Sequence, residues 1–257
     1  MLRWIGGKSK VTKKIIPYFP THISRYFEPF IGGGWVYSAF TANSRYFVRS
    51  YANDLDPAVY NFYNCVISYP DILLSNIRYL HSLNLEELKN LCDENKGSEI
   101  QKAALFYVRS CIKFSGIQHK AQYMTNKSRF TASKINVLSD TMRHFRSLSI
   151  YNLDYADFLN LFHLTKSDFV YLDPPYHDCN TNLYLNHNEF DFVRFANFVR
   201  KLPCKFAVSI GDTPLARELF ADYFFVRIPM YYGSNNKKVD ELLILNYTVS
   251  NQLLLLP

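Results

Sequence analysis

Apolar and polar residues repeat along this chain with two periods, and the change of period divides it. Short runs of β-branched and aromatic residues, bounded by Gly, Pro, Asn or Asp, predict strands in the first and last parts of the sequence. From Ala58 to about Leu148 apolar residues recur at helical spacing instead. The pattern therefore predicts an α/β domain made of residues 1–57 and 148–257, with a mainly helical insertion at 58–147.

Strands and helices alternate outside the insertion, which predicts a largely parallel sheet covered by helices. The predicted strands are a run through Tyr26 and Phe27, Tyr46–Ala52, Ser149–Asn152, Phe169–Leu172, Cys204–Ile210, Tyr223–Pro229 and Glu241–Val249. The predicted helices are Ser9–Phe19, Trp35–Phe40, Ala58–Tyr69, Asp71–Leu83, Leu85–Asn95, Glu99–Phe114, a segment from about Tyr155, Glu189–Leu202 and Pro214–Ala221. Because such sheets bind ligands at the carboxyl ends of their strands, residues that follow a strand are the candidates for chemistry.

One strand end is stiffer and more polar than its surroundings. The apolar run Phe169–Leu172 stops abruptly at Asp173-Pro174-Pro175-Tyr176. Proline cannot donate a ladder hydrogen bond and restricts the residue before it, so the strand must end here with Asp173 on rigid backbone. A strand ended by proline beside an incidental acid is the simpler interpretation, so the four residues need support from elsewhere.

A second strand runs into a glycine turn and then into a helix. Residues 26–40 contain the predicted strand, then Phe30-Ile31-Gly32-Gly33-Gly34, then the helix at Trp35. A strand end facing a helix N-terminus can hold a nucleotide-like ligand, although the turn lacks the GxGxxG spacing of phosphate-binding loops. Asp54 follows the next strand, 20 residues after Gly34, where dinucleotide folds place an acid that accepts hydrogen bonds from ribose. An Asx turn would also explain Asp54, and Asp56 before Pro57 has the pattern of a helix cap.

Two further stretches are polar enough to bind a ligand. Trp4-Ile5-Gly6-Gly7-Lys8 combines glycines, which let backbone approach a ligand, with a cation placed to meet a carboxylate. The alternative is an N-terminal arm with a surface lysine. Within the insertion, Ser115–Lys134 alternates basic, amide and aromatic residues, the groups that read base edges and phosphates, with a hairpin predicted at 118–132 and its turn at Thr125 to Ser128. A solvated loop is the alternative.

The composition indicates which kinds of partner, cofactor and cellular location to expect for this chain. With 257 residues and 48% hydrophobic residues the chain can bury a sizeable core. The net charge of +7 favours a polyanionic partner, and 17% aromatic residues supply stacking surfaces. The five cysteines show neither a CxxC pair nor zinc-ligand spacing, so we predict reduced thiols, no metal and a cytoplasmic location. No apolar stretch approaches 18 residues and the N-terminus lacks a signal-peptide pattern, so no membrane association is expected.

Four motifs in one order make the chain similar to a known family. Trp4 to Lys8 resembles the opening Trp-x-Gly-Gly-Lys of the Dam-like (D12 class) N6-adenine DNA methyltransferases, and Glu28 to Gly34 resembles their Glu-Pro-Phe-x-Gly-x-Gly motif. Asp54 stands at their ribose-binding acid, and Asp173 to Tyr176 at their Asp-Pro-Pro-Tyr. Lesser similarities are Phe114-Ser115-Gly116 and Glu241 to Tyr247. The likeness spans nearly the whole chain.

The resemblance implies a Rossmann-like sheet that uses S-adenosylmethionine and double-stranded DNA. The residues expected to contact the methyl donor are Trp4, Lys8, Phe30, Gly32, Gly34, Asp54 and Asp173. An adenine amino group is a poor nucleophile and is buried in the duplex, so the base must be flipped out. Asp173 and the Pro174 carbonyl then accept hydrogen bonds from the amino group, while the base stacks on Tyr176.

The similarity stops at the segment expected to read the DNA sequence. Family members that read GATC carry Arg-x-Asn before the turn and Phe-Asn-x-Pro-x-Gly after it, whereas this chain has Tyr123-Met124-Thr125-Asn126 and Phe130-Thr131-Ala132-Ser133-Lys134. The target sequence therefore cannot be transferred. The predicted DNA contacts are Lys120, Asn126, Lys127 and Arg129, with Arg129 reading a base and the two lysines holding backbone.

Other functions fit some of the same residues. An N4-cytosine DNA methyltransferase would use the same acceptor geometry on another exocyclic amine. A catalytically silent DNA-binding relative is disfavoured by the intact Asp173 to Tyr176, and a nicotinamide oxidoreductase by the missing GxGxxG. We expect a monomer or weak dimer, and the sequence leaves open both the target and whether a restriction endonuclease is its partner.

Overall fold

The computed structural model describes residues 2–4, 7–42, 48–113, 122–175, 190–232 and 237–249. Their strands form one seven-stranded sheet in the order β3-β2-β1-β4-β5-β7-β6. The strands are β1 Arg25–Glu28, β2 Arg49–Asn53, β3 Leu148–Tyr151, β4 Phe169–Leu172, β5 Lys205–Gly211, β6 Phe224–Tyr232 and β7 Lys237–Leu245. The predicted α/β fold is confirmed, and each predicted strand has a counterpart.

The sheet reverses its order at its centre. Strands β3, β2, β1, β4 and β5 are parallel, and β7 pairs antiparallel with both β5 and β6. Along the chain β1 is followed by β2 on one side, whereas β4 lies on its other side. This is the doubly wound arrangement, and the crevice at such a switch point, outside the carboxyl ends of β1 and β4, is where these folds bind ligands.

Helices cover both faces of the sheet. They are α1 Thr12–Ile15, α2 Trp35–Ala42, α3 Pro57–Ser68, α4 Pro70–Ser82, α5 Leu85–Glu94, α6 Glu99–Ile112, α7 Ala132–Met142, α8 Tyr155–Asn160, α9 Phe192–Val199 and α10 Pro214–Leu219. Because successive side chains of a strand point to opposite faces, Phe169 and Tyr171 of β4 join one core while Val170 and Leu172 join the other. All four are fully buried, as a central parallel strand requires.

Between β2 and β3 the described residues form mainly helices, α3 to α7, and several of these begin where the sequence supplies caps. The Asp56 side chain accepts a hydrogen bond from Ala58 N at the start of α3, as predicted. Helices α5 and α6 each open with a reciprocal capping box, Asn84 with Glu87 and Ser98 with Gln101. The sequence pattern predicted helices at the positions of α3 to α6, but it did not predict α7.

One local prediction differs from the structure, and another falls partly outside the described residues. The predicted helix Ser9–Phe19 is broken into the 3₁₀ turn Lys8–Lys10, helix α1 and the 3₁₀ turn Ile16–Tyr18. Pro17 lies inside this stretch and lacks an N–H group, so a continuous α-helix cannot run through it. The chain bends at Thr125 and Asn126, and Asn126 Oδ1 accepts from Ser128 N at 3.0 Å. Residues 118–121 of the predicted hairpin lie outside the described ranges, so the hairpin stays a prediction.

Antiparallel pairing does occur nearby in another register. An isolated bridge joins Tyr123 to Lys113, and Met124 N donates to Ile112 O at 2.7 Å. This pairing joins the two ends of residues 114–121. These residues, which include the predicted DNA contact Lys120, lie outside the described part of the chain.

The cysteines that the structure describes are buried free thiols, namely Cys65, Cys92, Cys111 and Cys204. Cys179 lies in the undescribed range 176–189. Across the described ranges, no helix combines the length and apolar character needed to cross a membrane.

Candidate active site

Polar side chains collect at the carboxyl ends of the central strands. Glu28 ends β1, Asp54 follows β2, and Asp173 follows β4, while Glu241 of β7 pairs with Gly211 at the end of β5. Glu28 and Glu241 are almost completely buried, whereas Asp173 keeps a side-chain exposure of 21%. Four acids at one edge of a sheet repel one another unless they are neutralised, so each needs a cation, a hydrogen-bond donor or a proton.

The glycine turn is tightly wound beneath the N-terminal segment. Gly34 N donates to Ile31 O at 2.8 Å, and Gly32 has a φ of +44° that favours glycine. A Cβ on Gly32 would lie 2.9 Å from both Cδ1 and Nε1 of the Trp4 ring. Tyr63 donates from its hydroxyl to Gly32 O at 3.1 Å. The turn is therefore a shaped backbone surface covered on one side by Trp4.

Asp54 is held against this turn by backbone donors. Its Oδ2 accepts from Gly32 N at 2.8 Å and its Oδ1 from Asp56 N at 3.0 Å. Burial raises the pKa of Asp54 to about 7, although these two hydrogen bonds favour the ionised form and oppose the rise. Since each carboxylate oxygen has two lone pairs, Asp54 keeps acceptor capacity for a hydroxyl-bearing ligand. Asp54 thus forms an Asx turn and keeps the acceptor capacity that its predicted ligand-binding role requires.

A buried lysine joins the N-terminal motif to the end of β4. The Lys8 ammonium lies 2.6 Å from Asp173 Oδ1 and 3.6 Å from Glu241 Oε1, and only 2% of the lysine side chain is exposed. Burial lowers the pKa of Lys8, but the charges and hydrogen bonds of Asp173 and Glu241 outweigh it and leave that pKa raised. Lys8 therefore remains an ammonium that fixes one oxygen of Asp173.

Glu28 behaves differently from its neighbours. Tyr26 donates from its hydroxyl to Glu28 Oε2 at 2.7 Å inside the core. Burial raises the pKa of Glu28 well above its usual range, and the charges of Asp173 and Asp54 act in the same direction. Burial and the neighbouring acids thus favour the neutral form of Glu28, and that form would lessen the repulsion at this edge.

Pro174 after β4 and Phe30 after β1 are apolar residues next to the strand ends that carry Asp173 and the glycine turn. Pro174 is buried, and Phe30 packs against Tyr155 and Phe195 with ring centroids 5.5 and 6.0 Å apart. Rigid backbone and packed neighbouring side chains hold an acceptor group in place before a substrate arrives. The arrangement can bind a nucleoside-like ligand and offer a carboxylate to an amine.

Comparisons with known proteins decide the family. The profile of the D12 class N6 adenine-specific DNA methyltransferases matches residues 4–231. The chain belongs to this family. It is 24% identical over 274 residues to a type II methyltransferase of Lactococcus lactis subsp. cremoris, covering 95% of this chain and 94% of the relative. It is 25% identical over 269 residues to a type II methyltransferase of Methanocaldococcus jannaschii, with coverage of 93% and 89%.

A DNA adenine methylase of Haemophilus influenzae is 25% identical over 248 residues, covering 88% of this chain and 84% of that enzyme. The protein is an adenine-specific DNA methyltransferase, and the N4-cytosine alternative is not favoured. Membership implies S-adenosylmethionine as methyl donor and DNA as substrate. The resemblance stated from the motifs is confirmed.

The methyltransferase brings most of its predicted donor-site residues to one place. Trp4, Gly32 and Asp54 meet at the glycine turn, and Lys8 meets Asp173. Tyr176, the predicted stacking residue, lies outside the described ranges. The contacts of these residues with donor and base stay predictions.

The predicted DNA contacts that can be located have distinct surroundings. Asn126 is exposed, and Arg129 is partly exposed beside Arg3, whose pKa is lowered by burial and then by the charge of Arg129. Lys127 donates to the carbonyls of His81 and Leu83 at 2.8 and 2.5 Å, at the C-terminal end of α4. Lys127 thus has a structural partner inside the insertion.

Sequence reasoning did not assign Glu28 or Glu241 a role. Glu241 stands directly before the apolar run Leu242 to Leu245 and is as buried as its neighbours. Charged groups are rarely buried without a partner, so an acid at the edge of a buried strand was the available signal. Which partner it meets depends on β7 lying between β5 and β6, which the pattern does not reveal.

Proposed function

We propose that this enzyme transfers a methyl group from S-adenosylmethionine to the N6 atom of an adenine flipped out of double-stranded DNA, in the cytoplasm and within a specific target sequence. The observation that carries the proposal is the shared position of Asp173, Lys8 and Asp54 at the carboxyl edge of the sheet, next to the Gly32 turn. An acceptor for an amine and an acceptor for ribose thereby flank the same crevice.

The residues around the turn fit the methyl donor. When bound, S-adenosylmethionine supplies an electrophilic methyl group on a cationic sulfur. Asp54 would accept from its ribose, the bare backbone of Gly32 and Gly34 would let it approach closely, and Trp4 and Phe30 would border it. Lys8 would act indirectly, by fixing the position of the Asp173 carboxylate.

Asp173 acts on the nucleophile. Its carboxylate and the Pro174 carbonyl accept hydrogen bonds from the adenine amino group and aim the nitrogen lone pair at the methyl carbon. The C–N bond forms as the C–S bond breaks, the sulfur leaves as a neutral thioether, and the cationic nitrogen then loses a proton by way of Asp173 to solvent. Tyr176 stacks on the flipped base, a contact worth about 1–3 kcal/mol.

The insertion 58–147 would recognise the target, with residues 1–57 and 148–257 as the catalytic domain. Arg129 is assigned to a base, Lys120 and Lys127 to the DNA backbone, and Asn126 to a further DNA contact. The charge of Arg129 acts on Arg3, so two cations lie near each other at this surface, which favours a DNA contact here. A monomer or weak dimer suffices, since one chain supplies all these residues. A companion restriction endonuclease belongs with the proposal, because two relatives are type II methyltransferases.

The test uses Asp173→Ala with nucleoside analysis of the methylated DNA. The wild-type enzyme should produce N6-methyladenine, and Asp173→Ala should produce none while still binding DNA, because only the amine acceptor is lost. Tyr176→Phe should keep most activity, whereas Tyr176→Ala should lose much of it. Asp157→Ala, an exposed acid of α8, is the control and should match the wild type. Methylation by Asp173→Ala at the wild-type rate would refute the mechanism.

A further inference from the structure

Glu241 is a buried acid with no place in the mechanism above. It lies within β7, paired with Gly211 and Ile228, and its side chain is 2% exposed. Burying an ionised carboxylate costs several kcal/mol even after relaxation, and apolar residues often stabilise a fold better at such positions. Stability alone therefore does not account for an acid here.

The partners of Glu241 connect it to the reaction. Its Oε1 lies 3.6 Å from the Lys8 ammonium, which is itself 2.6 Å from Asp173 Oδ1. Ser209 of β5 donates from its hydroxyl to Glu241 Oε2 at 3.3 Å, which fixes the other oxygen. Two carboxylates thus lie within 4 Å of one ammonium, so Glu241 adds a second acid to the Lys8–Asp173 ion pair.

We infer that Glu241 is a positioning residue that acts through Lys8, making the donor site more negative so that it prefers the cationic methyl donor to the neutral thioether product. The inference rests on the proposed function of Asp173. Glu241 adds a carboxylate beside the Lys8–Asp173 ion pair, so replacing it with an uncharged residue should make the site less attractive to the sulfonium. Methyl transfer moves the positive charge from sulfur to nitrogen beside Asp173. Negative charge from Glu241 would therefore stabilise both the bound donor and the cationic nitrogen that the transfer produces.

Charge preference has a signature that mere packing lacks. The donor S-adenosylmethionine and the product S-adenosylhomocysteine share the adenosine and amino-acid parts and differ in the methyl group and the sulfur charge. A residue that only shapes the pocket should affect both ligands about equally. A residue that supplies charge should affect the donor alone, by roughly tenfold even when a unit charge acts over about 12 Å at an effective dielectric constant near 20.

The experiment measures both affinities by calorimetry for the full-length wild type, Glu241→Gln and Glu241→Asp. We expect Glu241→Gln to weaken S-adenosylmethionine about tenfold and S-adenosylhomocysteine less than twofold, and Glu241→Asp to restore most of the preference. Glu218→Gln, an exposed acid of α10, is the matched control and should change neither. Equal weakening of the two ligands, or no change in either, would overturn the inference.

The outcome separates this inference from the proposed function. If the wild type does not bind S-adenosylmethionine, the proposed function fails. If it binds the donor, Asp173→Ala abolishes methylation and Glu241→Gln keeps the wild-type preference, only the role of Glu241 fails. Should Glu241→Gln not fold, the Glu241→Asp preference decides, because loss of the preference with charge retained would contradict an electrostatic role.

Discussion

Gly32 shows how one backbone angle shapes the donor site. Gly32→Ala should lower the free energy of unfolding by about 1–3 kcal/mol, because alanine is strained at a φ of +44° and its Cβ would lie 2.9 Å from the Trp4 ring. Donor affinity should fall with it. Urea denaturation and calorimetry measure the two effects. Gly211→Ala is the control, since its Cβ would meet only Thr213 Cγ2 at 4.0 Å and stability should change little. Equal effects at the two glycines would contradict this account.

Asp54 should give the ligand-free enzyme a recognisable pH dependence. Its folded pKa of about 7 lies above the ordinary value of 3.8, so the folded state binds a proton more tightly than the unfolded state. The contribution of Asp54 to stability should therefore fall as the pH rises from about 4 to 7 and level off above that. Asp54→Asn removes this titration. The difference in unfolding free energy between the wild type and Asp54→Asn should decrease with pH over this window, and a flat difference would argue against the raised pKa.

At the scale of elements, the segment 122–130 combines anchoring and exposed residues. Met124 and Phe130 are buried, and Lys127 binds the carbonyls at the end of α4, while Asn126 is exposed and Arg129 partly so. Cations at a helix C-terminus stabilise it by satisfying its last carbonyls. The segment is therefore held on the helices by some residues and presents others to a ligand.

Arg129 and Lys127 should respond differently to replacement by alanine. Arg129→Ala should cost about 1–3 kcal/mol of binding on the cognate duplex alone, whereas a lost phosphate contact at Lys127 should weaken every duplex equally and lower the salt slope by about one. Lys127→Ala should also lower the melting temperature, because α4 loses its C-terminal partner. Titrations of cognate and scrambled duplexes across a salt series measure these effects, once sequencing of modified bases has given the target. Equal losses for Arg129→Ala on both duplexes would assign it to the backbone.

At the scale of the whole molecule, two asparagines bind backbone at opposite ends of the sheet. Asn53 Nδ2 donates to the carbonyls of Pro29 and Leu153 at 3.1 and 2.9 Å, and Asn53 Oδ1 accepts from Leu153 N, joining the carboxyl ends of β1, β2 and β3. Asn246 accepts from Phe206 N and donates to Cys204 O at the amino end of β5. The two side chains make similar bonds at different distances from the donor site.

Asn53→Ala and Asn246→Ala should each lower the free energy of unfolding by about 1–3 kcal/mol, with the larger loss at the buried Asn53, because both leave backbone groups without partners. Only Asn53→Ala should also weaken donor binding, since it loosens the strand ends that position Asp54 and the glycine turn. Denaturation gives the first comparison and calorimetry the second. Weaker donor binding by Asn246→Ala of the same size would show that general stability, rather than this junction, controls the site.

The sequence by itself determined the α/β class, the helical insertion and the family. These follow from local facts: apolar periodicity, the Asp56 cap, the prolines that end β4, and four motifs in order. It also placed Asp54 and Asp173 at strand ends, because a strand end is visible where an apolar run stops. The break at Pro17 was readable in the same way, from a missing N–H.

Only the tertiary structure decided which charges meet. Lys8 and Asp173 are 165 positions apart, and Glu241 is more distant still, so no spacing rule joins them. The antiparallel place of β7 between β5 and β6 brings Glu241 to Lys8, and burial then gives Glu28 and Asp54 their raised pKa values. Lys127 likewise acquires its partners from the packing of its segment on α4. Electrostatics depends on distance and solvent exposure in three dimensions, and the order of residues along a chain fixes neither.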